Sequence, residues 1–303
     1  MSNKKKVIIL THSSRFHVDD VFAVSTLVLL MEKEGTDYEI VRSRDQEIIS
    51  KADYVVDVGG IYDPRANRFD HHQKGGAGGR ENGILYSSFG LVWKKFGEEL
   101  CGNKEVADIV EKILVEPIDA NDNGIDIVEQ KYEDLYPYDM RAMIDTFRPT
   151  WKENVSFDDK FLEAISFVKI ILQRLIIVSK DREDGRKLVI DAYNSSKDKR
   201  LIELDPKLPW EEILNKFPEP LFSIGYVETD DNWGIKTIRN NISSYSEVRK
   251  NLPLAWAGKR DEDLEKVTGV SGAVFCHNGL FIVVAKTKEA ILKLAEIALN
   301  DKD

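Results

Sequence analysis

Along the first third of the chain, the spacing of apolar positions alternates between the strand and helix periods. Residues 7–10 form a short apolar run that reads as a strand. From 20 to 34 the apolar residues recur at helical spacing, and Gly35 supplies the stop. A second strand follows at 38–41, a short helix at Gln46–Lys51, and a third, β-branched strand at 54–58. This β-α-β-α-β alternation predicts a parallel sheet with right-handed crossovers. Residues 68–71 read as a further short strand, and helices are expected at 87–100 and 104–115.

Beyond residue 150 the pattern changes. Residues 157–193 are helical and unusually long, with a break in polarity at 179–185, as in a connector between domains. Strand-like runs at Phe222–Val227, 235–239, Ala273–Cys276 and 280–285 precede a terminal helix at 288–299. His277-Asn278-Gly279 fits a hairpin turn. The expected architecture is therefore α/β: a parallel-sheet domain with its long connector over 1–194, and a smaller α+β domain over 195–303.

Composition changes this picture little. Hydrophobic residues make up 42% and charged residues 32% of the 303 positions, enough to bury a core without metal or disulfide staples. The two cysteines, Cys101 and Cys276, form no CxxC pair, which excludes a zinc ribbon and fits a reducing, cytoplasmic setting. The start resembles a secretory leader in outline, but Thr11-His12 ends its apolar run too early. No segment approaches the roughly 20 apolar residues that span a bilayer, so no membrane partner is expected. The net charge of −10 argues against a surface that coats long duplex DNA. A short oligonucleotide or a small phosphate ester suits it better.

The candidate chemistry lies mostly in the first domain, where four of the five histidines fall within 72 residues. His12 follows the first strand, with His17, Asp19 and Asp20 in the turn before the first helix. Asp57 ends the third strand, Asp70-His71-His72 end the next, and Asp119 and Asp122 fall in Ile-Asp-Ala-Asn-Asp-Asn-Gly after a helix. In an open parallel sheet such groups converge beyond the carboxyl ends of the strands. Singly, each has a plain explanation: Asp19 as a helix cap, Asp119 and Asp122 as a turn or a calcium-loop fragment. Together, His12, Asp19, Asp57, His71 and Asp119 read as a metal site. Imidazoles and carboxylates without thiolates suit manganese best, with magnesium, cobalt or zinc as alternatives. That many donors suits two ions sharing a carboxylate, an arrangement that clamps the attacking and leaving oxygens of a phosphoryl centre.

These residues resemble the DHH phosphoesterase superfamily, and within it the Myg (melanocyte proliferating gene) family of metal-dependent hydrolases. The resemblance rests on Thr11-His12-Ser13-Ser14-Arg15-Phe16-His17-Val18-Asp19-Asp20, Val56-Asp57-Val58-Gly59-Gly60, Arg68-Phe69-Asp70-His71-His72-Gln73 and Ile118-Asp119-Ala120-Asn121-Asp122-Asn123-Gly124. Segments near the end, Leu254-Ala255-Trp256-Ala257-Gly258-Lys259-Arg260-Asp261 and Val267-Thr268-Gly269-Val270-Ser271-Gly272, extend it over nearly the whole chain. It implies that Asp57 bridges two metals, that His12, Asp19, His71 and Asp119 are terminal ligands, that His72 contacts the scissile phosphate, and that Asp70 orients the histidines. Two departures stand out. His17 occupies a place where an aspartate ligand is expected, one residue further along, which makes it a candidate ligand. Ser14-Arg15 replaces a glycine and a small hydroxyl residue, which makes Arg15 a candidate phosphate contact.

The glycine-rich stretch from Lys74 to Arg80 offers backbone amides and two cations beside His72, as a phosphate cradle or simply a flexible loop. In the second domain Trp256, Arg260 and His277 are candidates for base stacking and phosphate contact. The resemblance implies a two-metal phosphodiesterase, in particular a 3′–5′ exonuclease on short RNA. The alternatives are a small-molecule phosphatase or pyrophosphatase, and a non-catalytic metal-dependent nucleotide-binding module. A homo-oligomer is compatible with all three.

Overall fold

A computed structural model describes residues 6–241 and 247–302; Lys4 and Lys5 of the leader-like start lie outside this range. The chain divides into two compact units, 1–180 and 181–303.

The first unit opens with β1 (Val7–Thr11), α1 (Val18–Glu34), β2 (Tyr38–Arg42), α2 (Gln46–Lys51) and β3 (Tyr54–Val56). A short hairpin, β4 (Tyr62–Asp63) and β5 (Arg68–Phe69), follows. The sheet order is β2-β1-β3-β5-β4, parallel across the first four strands and antiparallel at the β4 edge. Then come α3 (Ser88–Cys101), α4 (Lys104–Val110), α5 (Glu116–Asp122), α6 (Met140–Asp145) and α7 (Phe157–Ser195). Helix α1 is buried almost all round from Val18 to Met31, and Phe22 meets Phe89 of α3 at 5.2 Å between ring centres. A helix apolar on every side belongs in the middle of a core, and Gly35, left-handed at φ 67°, closes it.

Three differences from the sequence expectation shape the site. The strand at 54–58 stops at Val56, because Asp57 turns into the left-handed region at φ 55°. The strand at 68–71 stops at Phe69, because the Asp70 carboxylate takes the amides of Gly60 and His72 and turns the chain. The helix at 104–115 does not end there. It passes through a π-helical turn at Glu111–Val115 into α5, so Asp119 and Asp122 stand on a helix and not in a loop.

The second unit contains β6 (Leu201–Glu203), α8 (Trp210–Leu214), β7 (Phe222–Val227), β8 (Asn232–Thr237), α9 (Asp261–Thr268), β9 (Ala273–Cys276), β10 (Ile282–Ala285) and α10 (Lys288–Asn300). Its sheet runs β6-β7-β8-β10-β9, parallel only between β6 and β7. The division falls at Lys180, inside α7 and not at residue 194. The reason is the two-part apolar pattern of that helix. Phe161, Ala164, Val168 and Leu172 join the first core, and Val189 packs with Ile202 and Trp210.

Candidate metal centre

The parallel order places the carboxyl ends of β1, β3 and β5 side by side, so His12, Asp57 and Asp70-His71 emerge along one edge. The His12–His17 loop is held from outside. Arg42 donates to the Ser14 carbonyl at 2.6 Å, and Arg148 donates to the Phe16 carbonyl at 2.6 Å. Ser14 adopts φ 72°, a left-handed conformation at the position where the resemblance leads one to expect glycine. The His17 amide donates to Asp20 Oδ1 at 2.8 Å, so His17 stands at the α1 N-cap and Asp20 closes the first turn. The cap explanation for Asp19 therefore falls away.

Among the described residues, ligand-type atoms gather in three overlapping groups, each within 4.8 Å: His12, His17 and Asp57; Asp57, His71 and His72; and Asp19, His71 and Asp122. Asp57 belongs to two of them. Its Oδ2 lies 3.2 Å from His12 Nε2, and its Oδ1 lies 3.5 Å from His71 Nε2 and accepts from Ser88 Oγ at 2.9 Å. His12 Nε2 is also 3.2 Å from Asp20 Oδ2, and its Nδ1 lies 3.1 Å from the Ser13 carbonyl oxygen. His71 Nε2 is 3.3 Å from Asp122 and 3.9 Å from Asp19.

The electrostatics are those of a crowded, buried anionic cluster. Burial opposes ionisation of Asp57, but its contacts with His12 and His71 hold it far below the ordinary carboxylate range. Burial alone would lower the proton affinity of His12, yet Asp20 and Asp57 push it up to about 10. For His17 burial prevails and the pKa falls, favouring the neutral ring that a metal requires. Asp19 is raised well above its ordinary value, by burial first and then by Asp57, Asp122 and Asp20. Burial also raises Asp122.

These residues fit divalent ions, and the decisive observation is Asp19. It is 1% exposed, and neither carboxylate oxygen makes a well-directed hydrogen bond; the Asp20 amide and His71 Nε2, at 3.9 Å, approach it. Asp20 Oδ2 and His12 Nε2 are likewise buried without a directed hydrogen bond. Buried carboxylates without partners are strongly unfavourable unless a cation is bound. It follows that Asp19→Asn will stabilise the metal-free protein by about 1 kcal/mol, or roughly 2–4 °C, and will shrink the stabilisation that manganese gives. Thermal melts with and without manganese check this. An unchanged metal-induced shift would leave Asp19 outside the site.

Asp70 and His72 form a pair at the rim of the cluster, with His72 Nδ1 also 3.4 Å from Asp57 Oδ1. Asp70 Oδ1 lies 2.8 Å from His72 Nδ1 and accepts the His72 amide at 3.0 Å, while Oδ2 accepts the Gly60 amide at 2.6 Å. Burial opposes these bonds, but together they hold Asp70 below the usual carboxylate range, and the Asp70 bond raises His72. The His72 side chain is 63% exposed and open to a substrate.

Several expected site residues are placed elsewhere. Asp119 is wholly buried, its oxygens engaged by Ser87 Oγ at 2.5 Å, the Gly90 amide at 3.0 Å and Arg80 at 2.7 Å; Asp122, one turn on, joins the cluster instead. Arg80 is also bound to Glu111 at 2.7 Å, so two carboxylates engage its guanidinium. The loop around Lys74 is ordered by its own turns, with Gly75, Gly76 and Gly78 at positive φ. Lys74 and Arg15 are exposed. Trp256 is 2% exposed within the second unit's core, so it offers no face for base stacking. His277 Nδ1 accepts the Gly279 amide of its own hairpin turn at 2.9 Å, and the ring packs on Phe281. Arg260 precedes α9 with its guanidinium over the Phe275 ring.

Residues 8–299 match the MYG1_exonuc family, described as an uncharacterised protein family (UPF0160). The chain belongs to this family. Among MYG1 relatives, the MYG1 exonuclease of Homo sapiens is 32% identical, over 96% of this chain and 85% of its own length. The MYG1 protein of Schizosaccharomyces pombe is 30% identical over 99% of both chains. The MYG1 protein of Dictyostelium discoideum is 29% identical over 96% of each. Among solved structures, RecJ in complex with Mn2+ from Thermus thermophilus aligns with 98% of this chain and 52% of its own, at 10% identity; at a TM-score of 0.29 that likeness carries no weight. Among the described residues of this MYG1 chain, no helix is long and apolar enough to cross a membrane.

Proposed function

We propose that this MYG1-family chain is a metal-dependent phosphodiesterase acting as a 3′–5′ exonuclease on short RNA, with two divalent ions, most suitably manganese. The observation that carries the reading is the buried Asp19 carboxylate, without a well-directed hydrogen bond, beside Asp57, Asp122 and the imidazoles of His12, His17 and His71. The names of relatives, MYG1 exonuclease among them, support the reaction class. In this reading His12, His17 and Asp57 hold one ion, and Asp57, Asp19, His71 and Asp122 hold the other. When bound, two such ions would lower the pKa of an attacking water and offset charge developing on phosphoryl oxygens.

The remaining work falls to the chain. Asp57, shared between groups, keeps the two sites in register through His12, His71 and Ser88. Asp70 fixes the His72 ring through Nδ1 and leaves Nε2 as the nitrogen available to a substrate. Asp70 raises the proton affinity of His72 above the ordinary imidazole value, which favours the ring as a hydrogen-bond donor toward a phosphoryl oxygen.

The test is turnover by manganese-loaded protein of short RNA, short DNA, cyclic dinucleotides and pyrophosphate. Short RNA is expected to be shortened from its 3′ end, and His71→Ala to lose at least roughly 100-fold in rate. Cleavage of pyrophosphate alone would make the protein a pyrophosphatase. A fully active His71→Ala protein would end the catalytic assignment, and nucleotide binding without any turnover would make it a binding module.

A further inference from the structure

Chain segments that also carry cluster residues line a cavity of about 680 Å3 that the proposed chemistry does not use. Two of its walls are chain neighbours of cluster residues. Val18 sits between His17 and Asp19, and Asn121 directly precedes Asp122. The rest is largely apolar, with Pro117, Ile118, Ile125 and Met140 among the lining. Part of the cover comes from the connection between α5 and α6, where Ile127, Val128 and Tyr136 line the cavity yet remain mostly exposed. A long connection without regular structure that keeps such side chains in water is uncommon unless it has a partner.

The polar groups indicate what that partner is. Asp145 is paired with Arg148 at 2.5 Å, and Asp139 caps α6 through the Ala142 amide at 2.8 Å. Asn121 Nδ2 donates to Asp139 at 3.4 Å, which fixes the amide orientation and leaves Oδ1 buried without a partner. An unpartnered buried acceptor calls for a hydrogen-bond donor, which an amino group supplies. The three carboxylates of the lining, Asp126, Asp139 and Asp145, outnumber its one cation, Arg141, and disfavour a phosphate. A flat, uncharged ring bearing an amino group meets both conditions, and the volume lies within the usual range for small-ligand sites.

We propose that this cavity is a nucleobase subsite that takes the amino-bearing base of the nucleotide whose phosphate lies at the metal cluster. The proposal rests on the phosphodiesterase reading for the position of the phosphate, but its test does not need turnover. Calorimetric titration of the manganese-loaded full chain with adenosine 5′-monophosphate and with ribose 5-phosphate isolates the base. The expected result is at least roughly tenfold tighter binding of the nucleotide, in line with the worth of one stacked base. Tyr136→Ala removes an exposed wall at little risk to folding, and Asn121→Leu removes the acceptor; each should cut that preference to about threefold or less. Purine riboside 5′-monophosphate, the adenine nucleotide without its amino group, should bind more weakly than adenosine 5′-monophosphate in wild type and match it in Asn121→Leu. Equal affinity of wild type for the nucleotide and the sugar phosphate overturns the subsite, as does a preference that survives both variants. If the base preference holds and no phosphodiester is cleaved, the exonuclease reading fails and the subsite stands.

Discussion

Asp57→Asn is expected to reduce phosphodiesterase turnover by at least about 10³-fold while leaving the protein folded. The size of the effect follows from how much converges on one carboxylate. Asp57 faces His12 through Oδ2 and His71 through Oδ1, and belongs to two of the three ligand groups. Asparagine is the informative replacement because Asp57 adopts φ 55°, a conformation that asparagine tolerates and alanine does not. The amide can still accept from Ser88, so the turn is kept while the charge and a bridging oxygen are lost. A second readout follows from the histidine titrations. His12 in the metal-free protein should protonate at lower pH than its wild-type value of about 10, since one of the two carboxylates raising it is gone. Bound-metal content per chain and steady-state rates check the first expectation, and histidine NMR titration checks the second. A variant that keeps two ions and a tenth of the rate would remove Asp57 from the centre of the site.

The parts of this site that were legible in the sequence share one physical origin. His12, Asp57 and His71 each follow a short apolar strand, and parallel strands joined by right-handed crossovers bring such ends together. Asp70-His71-His72 stood out because three polar groups at the end of an apolar run need partners, and Asp70 finds them in the His72 ring and two amides. The first fold unit followed from the same alternation. The short strands β4 and β6 were not anticipated.

The substitution of Asp122 for Asp119 was not legible, for a definite reason. The π-helical turn at Glu111–Val115, where the Glu116 amide reaches back to Glu111, inserts an extra residue into the helical repeat. The face on which later residues fall therefore cannot be extrapolated from α4. Nor does local sequence reveal that Ser87, Gly90 and Arg80, roughly thirty or more positions away, have claimed the Asp119 carboxylate. Trp256 failed as a stacking residue on a similar ground, since an aromatic in a 3₁₀ turn is equally suited to a core and to a ligand. Side chains whose role depends on a distant partner are the ones composition and spacing leave open.

That distant partnership gives the second large effect, Gly90→Ala. Alanine normally favours a helix over glycine by up to about 1 kcal/mol, so α3 alone would gain from the change. Here a methyl group at residue 90 would overlap Asp119 Oδ2, lie 2.7 Å from its Cγ and 2.9 Å from Tyr86 Cδ1. The carboxylate cannot yield cheaply. It is wholly buried and, although burial pushes its pKa up to about 6, it is held by Ser87, Arg80 and the Gly90 amide itself. Displacing it would strand the largely buried Arg80 cation against Glu111 alone, a disruption worth roughly 3–5 kcal/mol. It would also shift α5, which carries Asp122 three residues further on, so metal affinity should fall together with stability. Denaturant unfolding and metal titration of Gly90→Ala measure both losses. The decisive comparison is Gly90→Ala made in an Asp119→Ala background, where the obstructing carboxylate is absent. There the cost of the methyl group should shrink to about 1 kcal/mol or reverse toward the helix gain. An equal cost in both backgrounds would mean that Gly90 is required for a reason other than seating Asp119.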